Sequence, residues 1–243
     1  MLKFNYFLLV FFIFQISLTK AQKSWGGGRD DDNFHYGYLF RSVDVRYAIV
    51  KNPNWQQPYY DADSKKNVTD SLSGIYADPQ GGFGIGIVTN LRLTDNIDVR
   101  FTPTLIFTDR GLRYEYKDKT TIEKKLDYPS IDFPLGIKLK TDRRRDFRAY
   151  LLLGVVFSTD ISFRGVKGQA DLELLDKRIT NTSSYWGYEA GMGFDIYLEY
   201  FKLSPEIKIV NSFNSVLVNE DHPFSRPIDK LFLHSLQIGL IFE

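Results

Sequence analysis

The chain contains few side chains that could carry out catalysis, and their spacing matches no catalytic pattern. His234 and Ser235 could belong to a lipid hydrolase, in which a histidine base activates a serine nucleophile. They are neighbours in a segment of alternating apolar and polar residues, and adjacent side chains of a strand point to opposite faces. We therefore expect His234 to be a polar residue at an interface, and we predict no catalytic site and no enzymatic activity.

Cofactor and metal sites are equally poorly represented. Gly81–Gly86 is rich in glycine, but it lacks the G-x-G-x-x-G spacing of a nucleotide loop and runs into a strand-like segment. The chain has no cysteine, and His35, His222 and His234 lie too far apart for a known ligand motif. The sequence predicts no cofactor, no metal and no small-molecule substrate. With Lys+Arg 31 against Asp+Glu 30, it also lacks the basic excess of nucleic-acid binding.

The residues are instead arranged to form strands. Apolar and polar side chains alternate with a period of two, which is typical of strands with one apolar and one polar face. The eight alternating segments are residues 42–49, 82–93, 97–108, 130–140, 147–160, 188–199, 202–209 and 235–242. We interpret Pro103, Pro134 and Pro205 as local defects in three hydrogen-bond ladders and not as strand ends.

The connections between these segments alternate in length. The short ones are residues 94–96, 141–144 and 199–202, and the long ones are residues 50–79, 117–121, 165–182 and 214–229. Short turns at one end and long loops at the other are typical of an outer-membrane barrel with periplasmic turns and extracellular loops. Aromatic residues predict a girdle at each end: Tyr114, Tyr116, Tyr128, Phe163, Tyr185 and Trp186 at the loops, and Phe147, Tyr197, Tyr200 and Phe201 at the turns.

The charges on the polar faces decide which side of the wall meets the membrane. The polar faces carry eight basic side chains, namely Arg46, Arg92, Arg100, Lys138, Lys140, Arg148, Lys202 and Lys208. A basic side chain at the bilayer midplane costs about 2–4 kcal/mol on a barrel, and eight of them would outweigh the roughly 5–15 kcal/mol by which a domain is stable. The charges must therefore point inward, where eight strands leave room only for side chains. The predicted interior ion network consists of Asp44, Arg46, Arg92, Asp98, Arg100, Asp132, Lys138, Arg148, Asp160, Glu189, Asp195, Glu206 and Lys208.

The predicted fold is all-β: an eight-stranded antiparallel transmembrane β-barrel with a filled, charged interior. A mean hydropathy of -0.25 argues against a bundle of membrane helices but not against a barrel, whose apolar signal alternates. The rival fold is a soluble lipocalin-like barrel with an apolar interior and a polar exterior. Long loops at one end only and aromatic residues at both ends favour the membrane barrel.

The amino terminus predicts an exported protein. Residues 1–21 contain a basic start, an apolar run and small residues at the spacing that a signal peptidase recognises, so we interpret them as a cleaved signal peptide. An uncleaved anchor is disfavoured because the apolar run is short and ends at Lys20. Residues 22–33 are rich in glycine and aspartate and predict a flexible periplasmic lead, and residues 34–243 form the barrel.

Two surface features are candidate partner contacts. Arg143, Arg144 and Arg145 lie on a predicted periplasmic turn, where they are either a solvated turn or a docking patch. Trp55, Tyr59 and Tyr60 lie in the first long loop. These large aromatic residues either anchor a partner or fold back over the mouth of the barrel.

Several stretches of the chain resemble the PorT family, the small outer-membrane barrels of the type IX secretion system in Bacteroidetes. The matching stretches are residues 82–93 with Arg100-Phe-Thr-Pro103, residues 131–135 through Phe147-Arg148, Tyr200-Phe-Lys-Leu-Ser-Pro-Glu-Ile-Lys208, and the terminal Phe242-Glu243. The resemblance covers most of the chain from Phe34 onward. Phe-Thr-Pro and Phe-Lys-Leu-Ser-Pro-Glu are its most specific motifs, because strand alternation does not require them.

The resemblance implies a non-enzymatic component needed to export cargo proteins with C-terminal sorting domains, and needed for gliding motility in species that glide. It implies outer-membrane lipid and proteins of the secretion machinery as partners. The expected location is the outer membrane of a Gram-negative bacterium, with both termini periplasmic. The alternatives are a small OmpX-like or OmpA-like barrel with a structural or adhesive role, and an outer-membrane enzyme that modifies lipid.

Overall fold

The computed structural model describes residues 33–62, 65–126, 129–161 and 173–243. The predicted signal peptide and residues 22–32 of the predicted lead lie outside the described residues. In the part of the chain that the structure describes, no helix is long and apolar enough to cross a membrane.

Sixteen strands make up the secondary structure of the described residues. The first eight are β1 (Phe34–Lys51), β2 (Tyr60–Asp61), β3 (Lys66–Asn67), β4 (Leu72–Tyr76), β5 (Gln80–Arg92), β6 (Ile97–Phe101), β7 (Thr104–Thr108) and β8 (Arg110–Tyr116). The others are β9 (Thr121–Leu126), β10 (Ser130–Lys140), β11 (Phe147–Asp160), β12 (Thr180–Asn181), β13 (Ser184–Tyr197), β14 (Lys202–Ser212), β15 (Leu217–Val218) and β16 (Ile228–Phe242).

The long strands close into an antiparallel ring, which confirms the predicted fold. The order around the ring is β1, β16, β14, β13, β11, β10, the β6–β7 strand and β5, and β5 pairs with β1 to close it. β6 and β7 are two halves of one wall strand, interrupted at Thr102 and Pro103, and both halves pair with β5 and β10. The eight wall strands therefore correspond to the eight alternating segments, with Pro103 as a ladder defect inside the third.

Each turn at one end of the barrel is short, and the loops at the other end contain strands of their own. We call these the turn end and the loop end. Above the ring at the loop end, β4, β8 and β9 form a three-stranded sheet, β2 pairs with β3, and β12 pairs with β15. Where the structure describes them, the long connections therefore contain strands that extend beyond the ring.

The outer wall is apolar and the inner face is largely polar. β10 shows the pattern: Phe133, Leu135, Ile137 and Leu139 are exposed, whereas Lys138 between them is fully buried. On β10 this alternation places the lipid-compatible side chains outside and the charges in the lumen, as the cost of a charge in hydrocarbon requires.

β1 departs from the sequence prediction. Val43, Val45 and Tyr47 are buried inside the barrel, whereas Asp44 and Arg46 point outward and are exposed, so their assignment to the interior network is wrong. The predicted segment began at residue 42, but β1 begins at Phe34. Its first half exposes Phe34, Tyr36, Tyr38 and Phe40. Because a strand keeps one parity along its length, this apolar half turns Asp44 and Arg46 to the outside.

The inward residues of β1 belong to an apolar core at the loop end. Val43, Val45 and Tyr47 pack there with buried side chains of the loop-end strands and connections, namely Leu72, Ile75, Ile106, Leu112, Tyr114, Tyr116, Ile179, Val216, Leu217, Phe224, Ile228, Leu231 and Leu233. We call this cluster the loop-end core. Tyr114 and Tyr116, predicted to lie in a girdle, are inside it, and Tyr197 at the turn end is also buried. Trp186 is exposed on the outer wall, and the predicted girdle residues Tyr128 and Phe163 lie outside the described residues.

Candidate functional site: the filled lumen and its apolar seal

The centre of the lumen is a carboxylate held between two arginines. Arg41 donates from Nη2 to Glu206 Oε1 (3.1 Å), and Arg100 donates from Nη1 to Glu206 Oε2 (2.7 Å). The hydroxyl of Tyr150 donates to the same Oε2 (2.9 Å). All three charged side chains are about 1% exposed, so these bonds replace the water that a buried carboxylate loses.

The arginines themselves have further partners. Arg41 Nη1 donates to Gln237 Oε1 (3.0 Å), and Arg100 Nε donates to Asn90 Oδ1 (2.8 Å). The cluster therefore joins β1, β5, β6, β11, β14 and β16 across the lumen, and it ties strands together that are not neighbours in the ring.

A second carboxylate lies nearby. Lys138 Nζ contacts both oxygens of Asp195 (2.8 and 2.6 Å), and Ser204 Oγ donates to Asp195 Oδ1 (2.6 Å). The ring of Tyr150 separates the two clusters: Lys138 Nζ is 4.0 Å and Arg100 Cζ is 5.0 Å from its centroid. Cation–π contacts of this kind partly offset the desolvation of both cations.

Further pairs fill the rest of the lumen. Towards the turn end these are Lys140 with Asp98 (2.6 Å) and Lys202 with Glu243 (2.9 Å). Lys208 pairs with Glu189 (2.5 Å). Towards the loop end, Arg110 contacts Asp160 (3.3 Å) and Ser130 (3.2 Å), and Ser158 donates to Asp132 (2.6 Å). The ion pairs thus extend along the lumen until the loop-end core begins.

The structure places most of the predicted network residues in the lumen. Asp98, Arg100, Asp132, Lys138, Arg148, Glu189, Asp195, Glu206 and Lys208 are all buried, and Asp160 is paired with Arg110. Arg92 lies at the turn end, where it is partly buried and pairs with the exposed Asp95. Asp44 and Arg46 are outside, as described above.

Sequence reasoning missed several members of the network. Arg41, Arg110, Tyr150 and Glu243 were not assigned to it, although all four face inward. The signal for Arg41 was available, because it has the parity of Leu39 and the opposite parity to the outward Tyr38 and Phe40. Arg110 lies just beyond the predicted third segment, whose inward Thr108 it follows by two residues.

The loop-end core seals the lumen from the loop side. Tyr114 is fully buried and donates from its hydroxyl to the carbonyl oxygen of Phe224 (2.7 Å), and their rings meet edge to face at 5.3 Å. Burial raises the pKa of the Tyr114 hydroxyl far above its usual range, so it stays a neutral donor. The mouth is therefore closed by apolar packing as well as by the ion pairs below it.

His222 lies beside this seal in the loop before β16. Its Nδ1 accepts a hydrogen bond from the Phe224 N–H (3.3 Å), and its Nε2 lies 3.4 Å from Glu220 Oε2. Burial, together with the charges of Lys177 and Lys124, lowers the pKa of His222 to about 4. The ring is therefore neutral near pH 7, and its contact with Glu220 is not an ion pair there.

The aromatic candidates in the first long loop behave differently from one another. Tyr59 is buried and donates to the Asp221 carbonyl (3.1 Å), and Trp55 packs against the loop-end core under Lys51 Nζ, 4.0 Å from its ring. Both fold back over the mouth of the barrel. Tyr60 is exposed and remains available to a partner.

At the turn end, the three arginines lie on the connection between β10 and β11. Arg143 packs over the ring of Tyr197 (3.9 Å) and donates to the Arg145 carbonyl (2.7 Å). Arg144 and Arg145 are exposed. The arrangement leaves two basic side chains on the surface of this turn.

Three other features were candidates for a binding or catalytic site: a cavity, a group of metal-binding side chains, and the pair His234 and Ser235. A polar cavity of about 400 Å³ lies among the loops, lined by residues that include Asn52, Glu220, Asp221 and Arg226. Among the described residues, no three His, Asp or Glu side chains form a group that could hold a metal ion. His234 points outward and Ser235 inward, so the two do not form a catalytic pair.

A family model described as outer membrane protein beta-barrel domain matches residues 54–218. Three solved barrels are similar to the chain. They are Neisserial surface protein A (9% identity, TM-score 0.41, covering 86% of this chain and 98% of that one), OprG from Pseudomonas aeruginosa (14%, 0.41, 85% and 93%) and AlkL in DMPC bilayers (13%, 0.43, 93% and 96%). The comparison with curated proteins found no match.

Proposed function

We propose that this chain, which belongs to the outer membrane protein beta-barrel domain family, is a non-enzymatic component of the type IX secretion system that assists protein export without conducting it. It stands in the outer membrane, with its termini and short turns in the periplasm and its loops outside the cell. The cargo it serves carries C-terminal sorting domains. The resemblance of its motifs to the PorT family suggests this role.

The observation that carries the proposal is the closed lumen. Arg41, Arg100 and Glu206 cross the interior, and the loop-end core covers them. A folded or unfolded cargo chain has no path through such a barrel. A secretion role therefore requires that the barrel docks to a larger translocon or to a periplasmic partner.

The exposed Arg144 and Arg145 offer a docking surface of the right kind on the periplasmic side. Two cations on a tight turn complement an acidic surface, and such charge complementarity favours encounter and orientation. Tyr60 offers a smaller contact on the opposite side of the membrane.

Deletion of the gene in its host tests the role. We expect cargo with C-terminal sorting domains to accumulate in the periplasm and to disappear from the medium, as measured by quantitative proteomics of both fractions. A complemented strain should restore secretion. A medium unchanged by the deletion would show that the secretion role is wrong.

The docking turn is tested in the same strain. The double variant Arg144→Gln/Arg145→Gln should reach the outer membrane in normal amount but should reduce cargo secretion several-fold. Lys119→Gln, an exposed basic residue on the hairpin at the loop end, is the matched control and should secrete normally. Equal secretion by both variants would exclude this turn as the docking site.

A structural or adhesive barrel is the second candidate, favoured by the structured loops. In that case substitution of the exposed Tyr60 and Tyr76 would alter cell-surface binding and leave secretion unchanged. A lipid-modifying enzyme would instead lose its activity in the variant His234→Ala. On β16, however, the nearest residues on the same face as His234 include no serine.

A further inference from the structure

A row of polar side chains crosses the apolar outer wall of the barrel near the loop end. It consists of Arg46, His234, Asn211 and Tyr188, which we call the polar row. Each is the direct cross-strand partner of the next, on β1, β16, β14 and β13. All four have the outward parity of their strands, so they share one surface.

Hydrogen bonds connect three members of the row. Asn211 Nδ2 donates to the Tyr188 hydroxyl (3.0 Å), which leaves Asn211 Oδ1 to accept from His234 Nδ1 (2.6 Å). Within the described ranges, the other ring nitrogen of His234, Nε2, makes no hydrogen bond. Among the described residues, Arg46 has no hydrogen bond or ion pair, although its position opposite His234 brings the two side chains within about 5 Å at Cβ.

The row lies at the border of the lipid-facing surface. Trp186 and Phe213 lie on its loop side and are 58% and 50% exposed, and the Tyr188 and Phe213 rings are 5.5 Å apart. Leu236, Ile238 and Ile209 are exposed on its turn side. Aromatic side chains mark the headgroup level of a barrel, with the acyl chains beside the aliphatic band.

We propose that the polar row binds the phosphate headgroup of a membrane lipid, with the acyl chains lying against the exposed Ile207 and Ile209 of β14, on the side of the row away from Asp44. Arg46 supplies the charge and a planar fork of donors that fits a phosphate. Because Nδ1 of His234 donates to Asn211, its Nε2 is an acceptor, and it can accept a hydrogen bond from a P–OH group of the headgroup. The proposal does not depend on the secretion role, because it rests on the outer wall alone.

Lipid is the occupant that fits this position. The site is reached from within the membrane, so a soluble anion would have to leave water to enter it, whereas a lipid headgroup is already at this depth. Asp44 lies two residues from Arg46 on the same face, towards the turn end, where it is the cross-strand partner of Leu236. Its carboxylate repels a phosphate and so weakens, but does not block, the proposed site.

Native mass spectrometry of the purified barrel in detergent tests the proposal. The probes are phosphatidic acid and diacylglycerol with the same acyl chains, because these two lipids differ only in the phosphate. We expect one phosphatidic acid to bind each barrel at least tenfold more tightly than diacylglycerol. Arg46→Gln should remove this preference, and Lys125→Gln, an exposed lysine far from the row on β9, should keep it.

The variant Asp44→Asn should change the affinity for phosphatidic acid in the opposite direction to Arg46→Gln. Removing the like charge should tighten phosphatidic acid binding severalfold, an effect that a general loss of folding cannot produce. Equal binding of both lipids, or unchanged binding by Arg46→Gln, would overturn the proposal. Competition by millimolar inorganic phosphate would also overturn it, because it would indicate a site for a free ion. Co-purification of a second protein with the unaltered barrel but not with the Arg46→Gln variant would indicate a protein interface instead.

Discussion

Glu206 is the carboxylate that balances the charges of Arg41 and Arg100 at the centre of the lumen. Its two oxygens receive Arg41, Arg100 and the Tyr150 hydroxyl, and water has almost no access to any of them. A buried ion pair contributes little relative to an apolar replacement, but removing one partner leaves the others charged and uncompensated. The cost of substitution at Glu206 is therefore larger than the net contribution of its bonds.

We predict that Glu206→Gln lowers the free energy of unfolding by about 3–5 kcal/mol, since both arginines stay buried without a counter-charge. Urea unfolding of the refolded barrel in lipid vesicles, followed by tryptophan fluorescence, measures the change. Glu123→Gln is the control, because Glu123 is exposed on β9 and its charge is already screened by solvent. Similar stabilities of the two variants would contradict the central role assigned to Glu206.

His222 makes the packing of the loop before β16 dependent on pH. Its pKa is about 4 when packed and about 6.5 when exposed, so the unpacked loop binds the proton more readily. The contribution of His222 to loop packing is therefore complete above pH 6.5 and is lost as the pH falls towards 4. We expect faster hydrogen exchange of residues 213–227 at pH 5 than at pH 7.5, after correction for intrinsic rates. His222→Gln should remove this difference, and a difference that persists in the variant would assign it to another group.

Among the elements, β13 shows how the wall makes room for its contents. Gly193 faces the lumen, and a Cβ at this position would lie against the Tyr150 ring and 2.7 Å from the Pro205 carbonyl oxygen. Tyr150 in turn supports Arg100, Lys138 and Glu206. The absence of a side chain on one strand thus positions an aromatic ring from the next.

We predict that Gly193→Ala destabilises the barrel by about 1–3 kcal/mol, the usual cost of overpacking. The displaced Tyr150 ring should also weaken the two clusters that it separates. Gly81→Ala on β5 is the matched control, because a Cβ there would meet no atom within 4 Å. Heat-induced mobility shift on a gel and urea unfolding should both rank the variants in this order. Equal effects would mean that Tyr150 can move at no cost.

The whole molecule is a barrel closed in two different ways. Ion pairs fill the lumen along most of its length, and the loop-end core covers them with buried apolar side chains. An eight-stranded wall encloses only enough volume for side chains, so neither layer leaves a continuous channel.

We predict that the purified protein gives no steady ion conductance in planar lipid bilayers, whereas a porin with more strands conducts through its wider lumen. The matched comparison is a variant that carries Leu112→Ala and Phe224→Ala in the loop-end core, which should fold less stably but should also fail to conduct, because the ion pairs remain. Long-lived open states of the unaltered protein would contradict the closed lumen and would reopen a role in transport.

The sequence alone determined the strands, their antiparallel order and the closed barrel, because these follow from local properties. The pleat of a strand produces the alternation with a period of two. The turns at residues 94–96 and 141–144 are too short to join any strands but antiparallel neighbours. The same local signals placed Arg100, Lys138, Asp195 and Glu206 on inward faces. They failed at Asp44 and Arg46, because the apolar residues opposite them fill the loop-end core and do not face lipid.

Only the tertiary structure decided which charges meet. Arg41 and Glu206 are 165 positions apart in the chain, and they lie on strands that are not neighbours in the ring. Their contact across the lumen depends on the register of every strand in the closed ring, so no local pattern contains it. The polar row arises in the same way, since the cross-strand register aligns four residues that lie far apart in the sequence.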